Sequence, residues 1–337
     1  MASLLVTFTC WKRQQHDILA PETPRYQLSG TVCDIDSDEA LASTELELEA
    51  LRLLYDSAFS DTVVVTDSLG RFSFLSLVPG EYRIRIKRSN YVVFDKTVLL
   101  FNSDRTMKLV LPKPLITKRD YHRSDANVPQ FEGFCWRFAN LFAGVSWFGE
   151  TRRRVFLGNF ASGFSAIGQN SFPYENPKFY GLTYLNVYWT CDSTRMHSLS
   201  PSTGKIEGTT PVAYELSDLT TDGTHLWAST RSNIILQFGQ HPSLFRGKFL
   251  VPAEKLGGIA WDGRHLWISD FLDNLIFHLD DGMKIITTYK PIYVDEFNRE
   301  QPVKNIAYLA FDFNGNLWAG DGKLIYEFGY EGISSAK

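Results

Sequence analysis

Cysteine is scarce in this chain. Cys10, Cys33, Cys135 and Cys191 are spread over 337 residues, and no two stand in a C-x-x-C or other metal-ligand spacing. Neither a disulfide framework nor a cysteine-built zinc site is indicated. An excess of one charge is missing too. A formal net charge of −4 leaves no electrostatic footprint for nucleic acid. The densest basic run, Arg152-Arg153-Arg154, reads as a solvated hairpin face rather than a polyanion site. No stretch approaches the roughly 20 apolar residues that span a bilayer, so a membrane is reached only through a lipid anchor.

Short catalytic signatures are missing as well. There is no G-x-S-x-G, and ASGFSAIG (161–168) reads as a hairpin without the strand-to-helix setting of a nucleophile elbow. GGIAWDG (257–263) has no phosphate-loop context, and its Gly-Gly pair reads as a turn between units. DFLDNLIFHLDDG (270–282) carries Asp270, Asp273, Asp280 and Asp281 without the spacing of an EF-hand loop.

What the chain has in quantity is aromatic surface: Phe 25, Tyr 15 and Trp 8. Large flat side chains fit pleated, half-buried surfaces and favour strands. Hydrophobic residues at 44% against charged residues at 21% predict a folded body. The length predicts two domains. The start, MASLLVTFTC (1–10), resembles the end of a bacterial lipoprotein signal, which implies acylation of Cys10. Thr9 departs from the small residue usual there, and no positive region precedes the apolar part. The other reading is a plain terminus on a soluble cytoplasmic protein. Residues 1–26, with Pro21 and Pro24, read as a signal remnant and tether.

From residue 27 to 112 the pattern is short alternating strands. STELELEALRLLY (43–55) puts leucines on one strand face; a helix competes, but the strict alternation favours the strand. Turn signals at SLG, VPGE and RSN recur about ten residues apart, which is sandwich spacing. GTVCD (30–34) and VVTDSLGRFSFLSLVPGEYRIRIKRSNYV (64–92) resemble the carboxypeptidase regulatory-like, or transthyretin-like, domain. The matching positions are Thr66, Asp67, Gly70, Phe72 and Phe74, then Pro79, Gly80 and Tyr82. The resemblance implies an accessory, non-catalytic module and supports export. On the residues themselves, Asp67 and Gly70 shape a turn, Phe72 and Phe74 share a strand face, and Gly80 is expected to supply a positive φ. KPLITKRDYHRSDANVPQ (113–130) is polar and reads as a linker.

The remainder repeats. Five units begin at Gly144, Gly181, Asp218, Gly258 and Tyr308, with aromatic anchors Phe156, Trp189, Trp227, Trp267 and Trp318. The anchor separations are 33, 38, 40 and 51, the last holding an insertion around 289–305. Each unit reads as a four-stranded propeller blade with Asp-Gly or Asn-Gly hairpins, and the anchor is expected to pack between blades. FEGFCWRFANLF (131–142) is expected to close the circle as the outer strand of the last blade. The unit GIAWDGRHLWISDFLDNLIFHLD (258–280) resembles blades of the superfamily of plant-type glutaminyl cyclotransferases, streptogramin lyases and NHL-type proteins. In the cyclotransferases a catalytic Glu follows the anchor strand's aromatic residue. Here Thr190 follows Trp189, and Asp192 precedes Ser193-Thr194, so no Glu stands there.

His225 and His265 share one repeat position, as do Asp222 and Asp262. A catalytic device is not normally duplicated unit by unit, so these read as strand starts and turn residues. The position three after each anchor holds Asn159, Asp192, Thr230, Asp270 and Asp321. On a propeller these polar groups would ring the channel mouth and suit a divalent cation, an amine or a sugar hydroxyl. Alternatively, each caps its own turn.

The expected protein is all-β: a small β-sandwich (27–112), a linker (113–130) and a five-bladed β-propeller (131–332), with six blades as the alternative. No catalytic residue or cofactor is assigned, apart from the divalent cation that the mouth carboxylates would suit. The expected role is a non-catalytic binding or scaffolding protein of the bacterial cell envelope, taking a protein, peptide or carbohydrate at the mouth. The competing role is a propeller enzyme of lyase, lactonase or cyclotransferase type, since propellers host both.

Overall fold

A computed structural model describes residues 23–54, 61–122, 131–138, 141–148, 152–159, 163–166, 179–295, 297, 299–312, 314–322 and 324–328. Every regular element among them is a β-strand. The chain divides into two compact units. Among the described residues the first takes 23–32, 40–87 and 93–109, and the second runs from Val110 with the short segments 33–39 and 88–92.

The first unit holds β1 (Tyr26–Asp34), β2 (Glu45–Leu53), β3 (Thr62–Val65), β4 (Arg71–Leu77), β5 (Gly80–Ile86), β6 (Phe94–Leu100) and β7 (Arg105–Leu111). They form one sheet in the order β4-β1-β7 and another in the order β3-β2-β5-β6. Period-two alternation sets the faces. On β5, Tyr82, Ile84 and Ile86 are buried while Arg83 and Arg85 turn outward to Asp95. On β2, Leu46 and Leu48 are buried between outward glutamates, so the segment is a strand and not the competing helix. A bulge between Ala50 and Arg52 breaks that alternation, and Leu51 within it is exposed. Asp67 Oδ1 accepts the N–H groups of Leu69 and Arg71, Gly70 has φ +67°, and Phe72 and Phe74 share the buried face. Gly80 does not supply a positive φ. It opens β5 where any side chain would meet the Arg52 carbonyl at 2.6 Å, and the left-handed residue nearby is Ser76, with φ 58°.

The second unit begins with β8 (Lys113–His122), in the stretch expected as a linker. Next come β9 (Phe131–Phe138), β10 (Leu141–Phe148), β11 (Arg152–Asn159) and β12 (Gly163–Ala166). A second sheet has β13 (Tyr180–Leu185), β14 (Val187–Cys191), β15 (Arg195–Leu199) and β16 (Ile206–Pro211). A third has β17 (Leu216–Thr221), β18 (Leu226–Thr230), β19 (Ile234–Phe238) and β20 (Phe245–Leu250). The fourth has β21 (Leu256–Trp261), β22 (Leu266–Asp270), β23 (Leu275–Leu279) and β24 (Ile285–Val294), with β25 (Glu300–Pro302) paired to β24. The fifth has β26 (Tyr308–Phe311), β27 (Leu317–Gly320) and β28 (Leu324–Phe328), and β8 supplies its fourth strand. The first strands β9, β13, β17, β21 and β26 adjoin one another in turn, and β26 returns to β9, which makes a β-propeller.

Two expectations about closure change. The closing strand is β8, antiparallel to β28 and, in its first half, parallel to β24. Phe131–Phe138 is instead the innermost strand of the first sheet, paired to β10. This moves the first unit by one strand, so Phe156 lies on a third strand while the other anchors lie on second strands.

Trp189, Trp227 and Trp267 pack between sheets, as their recurrence predicts. Trp189 joins Leu219, Ala228 and Leu236 of the next sheet, and Trp227 joins Ile259, Ile268 and Phe277. Trp267, fully buried, joins Leu309, Leu317 and Ala319. Burying one such side chain stabilises by roughly 2–3 kcal/mol. Two residues past the anchor, Ser229 donates to the Gly257 carbonyl (2.6 Å) and Ser269 to the Ile306 carbonyl (2.9 Å), each on the following sheet's side.

At the ring's centre one carboxylate gathers three sheets. Asp218 on β17 is fully buried. Its Oδ1 accepts the Leu219 N–H (2.9 Å), and its Oδ2 accepts those of Ile259 (3.0 Å) and Leu309 (3.1 Å). Those three residues hold the same place in three successive repeats. Gly181 and Gly258 make room: a side chain at either would run into Asp218 and Leu219, or into Leu309. Burial pushes the Asp218 carboxyl well above the usual carboxylate range, while the three N–H groups pull against it. Replacing Asp218 with Ala leaves three buried donors without partners. Urea unfolding of D218A should therefore show a loss on the order of 3 kcal/mol or more, with little loss expected for an exposed substitution such as R264A.

Candidate functional site

The turns between second and third strands share one end of the ring, because antiparallel sheets alternate their turns between two ends. Four of the five expected mouth residues sit there. Asn159 does not: it ends β11, a third strand, and its side chain lies outside the described residues. Cys10 also lies outside them.

Each of the four is engaged by its own turn or by a neighbouring residue of the protein. Asp192 Oδ1 accepts the Thr194 N–H (2.9 Å), and its Oδ2 meets Arg195 Nε (2.7 Å) and His197 Nε2 (3.0 Å). Thr230 donates to the Ile234 carbonyl (2.8 Å). Asp270 Oδ1 accepts from Leu272 and Asp273, and its Oδ2 from the Glu254 N–H (2.9 Å). Asp321 Oδ1 accepts the Leu324 N–H (2.8 Å), with Tyr326 Oη 3.4 Å from Oδ2. Asp192, Thr230 and Asp270 are about 1% exposed. Short polar side chains satisfying backbone donors in this way fix turns. Outside them Arg231 lies over the Tyr180 ring at 4.7 Å and Lys255 over the Phe271 ring at 5.2 Å, with Glu215, Glu254 and Asp273 exposed beside them.

Beside this end is a polar relay absent from the sequence reading, in which Asp192 and His197 are buried and Thr209 is exposed. His197, on β15, has Nε2 on Asp192 and Nδ1 3.0 Å from Thr209 Oγ1 on β16. Burial raises the Asp192 carboxyl, but bonds from Thr194, His197 and Arg195 outweigh it and hold it low. Burial holds the His197 imidazole low, against the pull of Asp192. An ionised carboxylate only accepts, so Nε2 carries the proton and Nδ1 accepts from the Thr209 hydroxyl. A neutral imidazole oriented by a carboxylate can take a proton from a hydroxyl.

The opposite end holds the recurring Asp-x-x-His-x-Trp motif. Asp222 Oδ2 accepts the Trp227 indole N–H (2.9 Å), Asp262 Oδ2 that of Trp267 (2.9 Å), and Asp312 Oδ2 that of Trp318 (3.0 Å). The carboxylates also accept backbone N–H groups of their own turns, such as those of His225 and His265. Gly223 (φ 89°) and Gly263 (φ 100°) take the left-handed positions those turns need. In the second sheet Asn186 stands at the turn, and the buried Trp189 Nε1 has no partner among the described residues. The motif is therefore a clamp on the interface anchor, repeated wherever the carboxylate is present.

The fourth sheet departs from this pattern. His225 Nδ1 lies 3.0 Å from its own Asp222, whereas His265 Nδ1 faces His278 Nε2 at 3.2 Å. The same His278 nitrogen is 3.6 Å from Asp262 Oδ2. Burial pushes the His278 imidazole down to about 4, with Asp262 pulling it up and His265 pushing it down. Its ring stacks on Trp267 at 4.4 Å. His265 also borders a cavity of about 310 Å³ with Trp227, Phe249, Trp261, Asp280 and Met283. Sequence spacing gave no hint of His278. Strand register does, because His278 lies opposite the anchor Trp267, where the third and fifth sheets have Gln237 and Glu327.

No family model matches the chain, and no curated protein matches it either. Among solved structures it is similar to glutaminyl cyclase from Myxococcus xanthus, at 12% identity and a TM-score of 0.48 over 64% of this chain and 98% of that one. A chain of the mitotic checkpoint complex is similar at 12% identity and a TM-score of 0.42 over 64% of this chain and 94% of that one. Streptogramin B lyase is similar at 12% identity and a TM-score of 0.38, over 63% and 96%.

The Asp222 clamp carries a pH signature. Burial raises its carboxyl, yet the Trp227 indole and the N–H groups of Thr224 and His225 outweigh this and hold it at about 2, below the ordinary 3.8. A depressed carboxyl adds stability above its unfolded value and loses it as pH falls through the folded one. Between pH 4 and 2, wild type should lose an increment on the order of 2 kcal/mol that D222N lacks, measured by urea unfolding at each pH.

Proposed function

We propose that this protein is a non-catalytic binding or scaffolding module, which engages a macromolecular partner through the second-to-third-strand end of its propeller. The observation that carries the reading is the state of the mouth aspartates. Oδ1 of each of Asp192, Asp270 and Asp321 accepts backbone N–H groups of its own turn, and Oδ2 is taken up by Arg195 and His197, by the Glu254 N–H and by Tyr326 respectively, so that the carboxylates are already engaged by the protein. Outward at this end are Arg231 and Lys255 on aromatic rings and Leu272, 52% exposed, among the exposed Glu215, Glu254 and Asp273. Arginine and aromatic groups are the residues that anchor protein interfaces.

One observation favours catalysis as a second reading: the Asp192–His197–Thr209 relay, which can activate a hydroxyl. Labelling of Thr209 by a phosphonylating probe, lost in H197Q, would support it.

Photo-crosslinking decides between ends and roles. A photoreactive side chain at Arg231 or Leu272 of the full chain, in its native cells, should yield one shared adduct. R231E/K255E should reduce adduct formation from Leu272 about tenfold at an unchanged melting temperature. Adducts only from probes at Thr224 or Arg264, on the opposite end, would contradict the proposal.

A further inference from the structure

We propose that Asp262, His265 and His278 form a binding site for a divalent transition-metal ion, zinc foremost, at the first-to-second-strand end of the fourth sheet. One ligand atom from each residue lies within 4.8 Å of the others. His278 Nε2 is 3.2 Å from His265 Nδ1 and 3.6 Å from Asp262 Oδ2. A tetrahedral zinc ion with bonds of about 2.0–2.1 Å places its ligand atoms about 3.3–3.4 Å apart. Two of the three edges already match that spacing, and a small rotation of an imidazole or the carboxylate closes the third.

The donor set suits the ion. Two imidazoles and a carboxylate are the ligands of three-residue zinc sites that keep a fourth position for water or substrate. Without metal, two ring nitrogens 3.2 Å apart need a proton between them, one donating and the other accepting. A cation takes the place of that proton.

The surroundings hold the ligands in place. Trp267 donates its indole N–H to Asp262 Oδ2, and the Arg264 and His265 N–H groups fix Oδ1 at 2.7 Å each. The His278 ring is held flat on Trp267, which itself stacks on Tyr289. Outer contacts of this kind orient metal ligands. His265 also lines the 310 Å³ cavity, which gives solvent or a small ligand access to one liganding residue.

The rest of the ring shows that the clamp needs no second histidine. The third sheet keeps Asp222, His225 and Trp227 with Gln237 at the register place of His278. The fifth keeps Asp312 and Trp318 with Glu327 there. His278 is thus an addition to the repeated device, and it is the residue that turns a clamp into a three-ligand cluster.

The test uses the untagged full chain, dialysed against a chelator and titrated with zinc chloride by calorimetry. Binding of one ion per chain is expected, along with the visible spectrum of tetrahedral cobalt on cobalt substitution. H278Q and H265Q should each weaken zinc binding at least about 100-fold, while H225Q binds as wild type does. H278Q installs the residue that the third sheet tolerates, and its metal-free melting curve checks that it folds. Should it not fold, H265Q, altered at a half-buried turn, decides the matter. Absence of zinc uptake by wild type, or wild-type affinity in the folded histidine variants, would overturn the site.

Discussion

The constraint on which the propeller depends is the convergence of equivalent backbone donors at its centre. Leu219, Ile259 and Leu309 hold the same place on three innermost strands, and their N–H groups meet at Asp218. Packed together in an apolar centre, such donors would each carry an unmet hydrogen bond. One carboxylate with two oxygens answers all three. The cost of burying it shows in its raised pKa, and the N–H dipoles offset that cost. The glycines at 181 and 258 follow from this constraint, since the strands must approach closely enough for one side chain to span them.

Around this centre, repetition sorts structure from chemistry. The Asp–Trp clamp appears in three sheets because each interface anchor has an indole N–H that needs an acceptor once buried. Where the carboxylate is missing, beside Trp189, the indole is left without one among the described residues. A function carried by one sheet alone is therefore to be sought where the pattern breaks. Asp218, standing where other units have Gly or Tyr, is one break. His278, standing opposite its anchor where other sheets have Ser198, Gln237 or Glu327, is another, and the His197 relay is a third.

Much of the architecture was legible in the sequence. The Asp-Gly-x-His-Leu-Trp recurrence marks hairpin, strand start and anchor together, and alternation on ELELEAL settled β2 as a strand. Closure was not legible. Lys113–His122 is rich in charge, like a linker, and its partners lie more than 150 residues away, so no local pattern marks it as a strand. That omission also displaced the first unit and put Asn159 with the wrong turns. The site residues were legible by type but not by direction, because spacing cannot tell whether an aspartate faces a channel or its own backbone. Asp218 was overlooked for a related reason: read along the chain, it is only the start of a repeat.

Native-state hydrogen exchange tests the central account most directly. If Asp218 holds the three sheets together, the Leu219, Ile259 and Leu309 amides exchange only through global unfolding. They should then share the largest opening free energy in the propeller and fall together with urea. Exchange of any of the three through a local, urea-independent opening, while neighbouring strand amides stay protected, would contradict it.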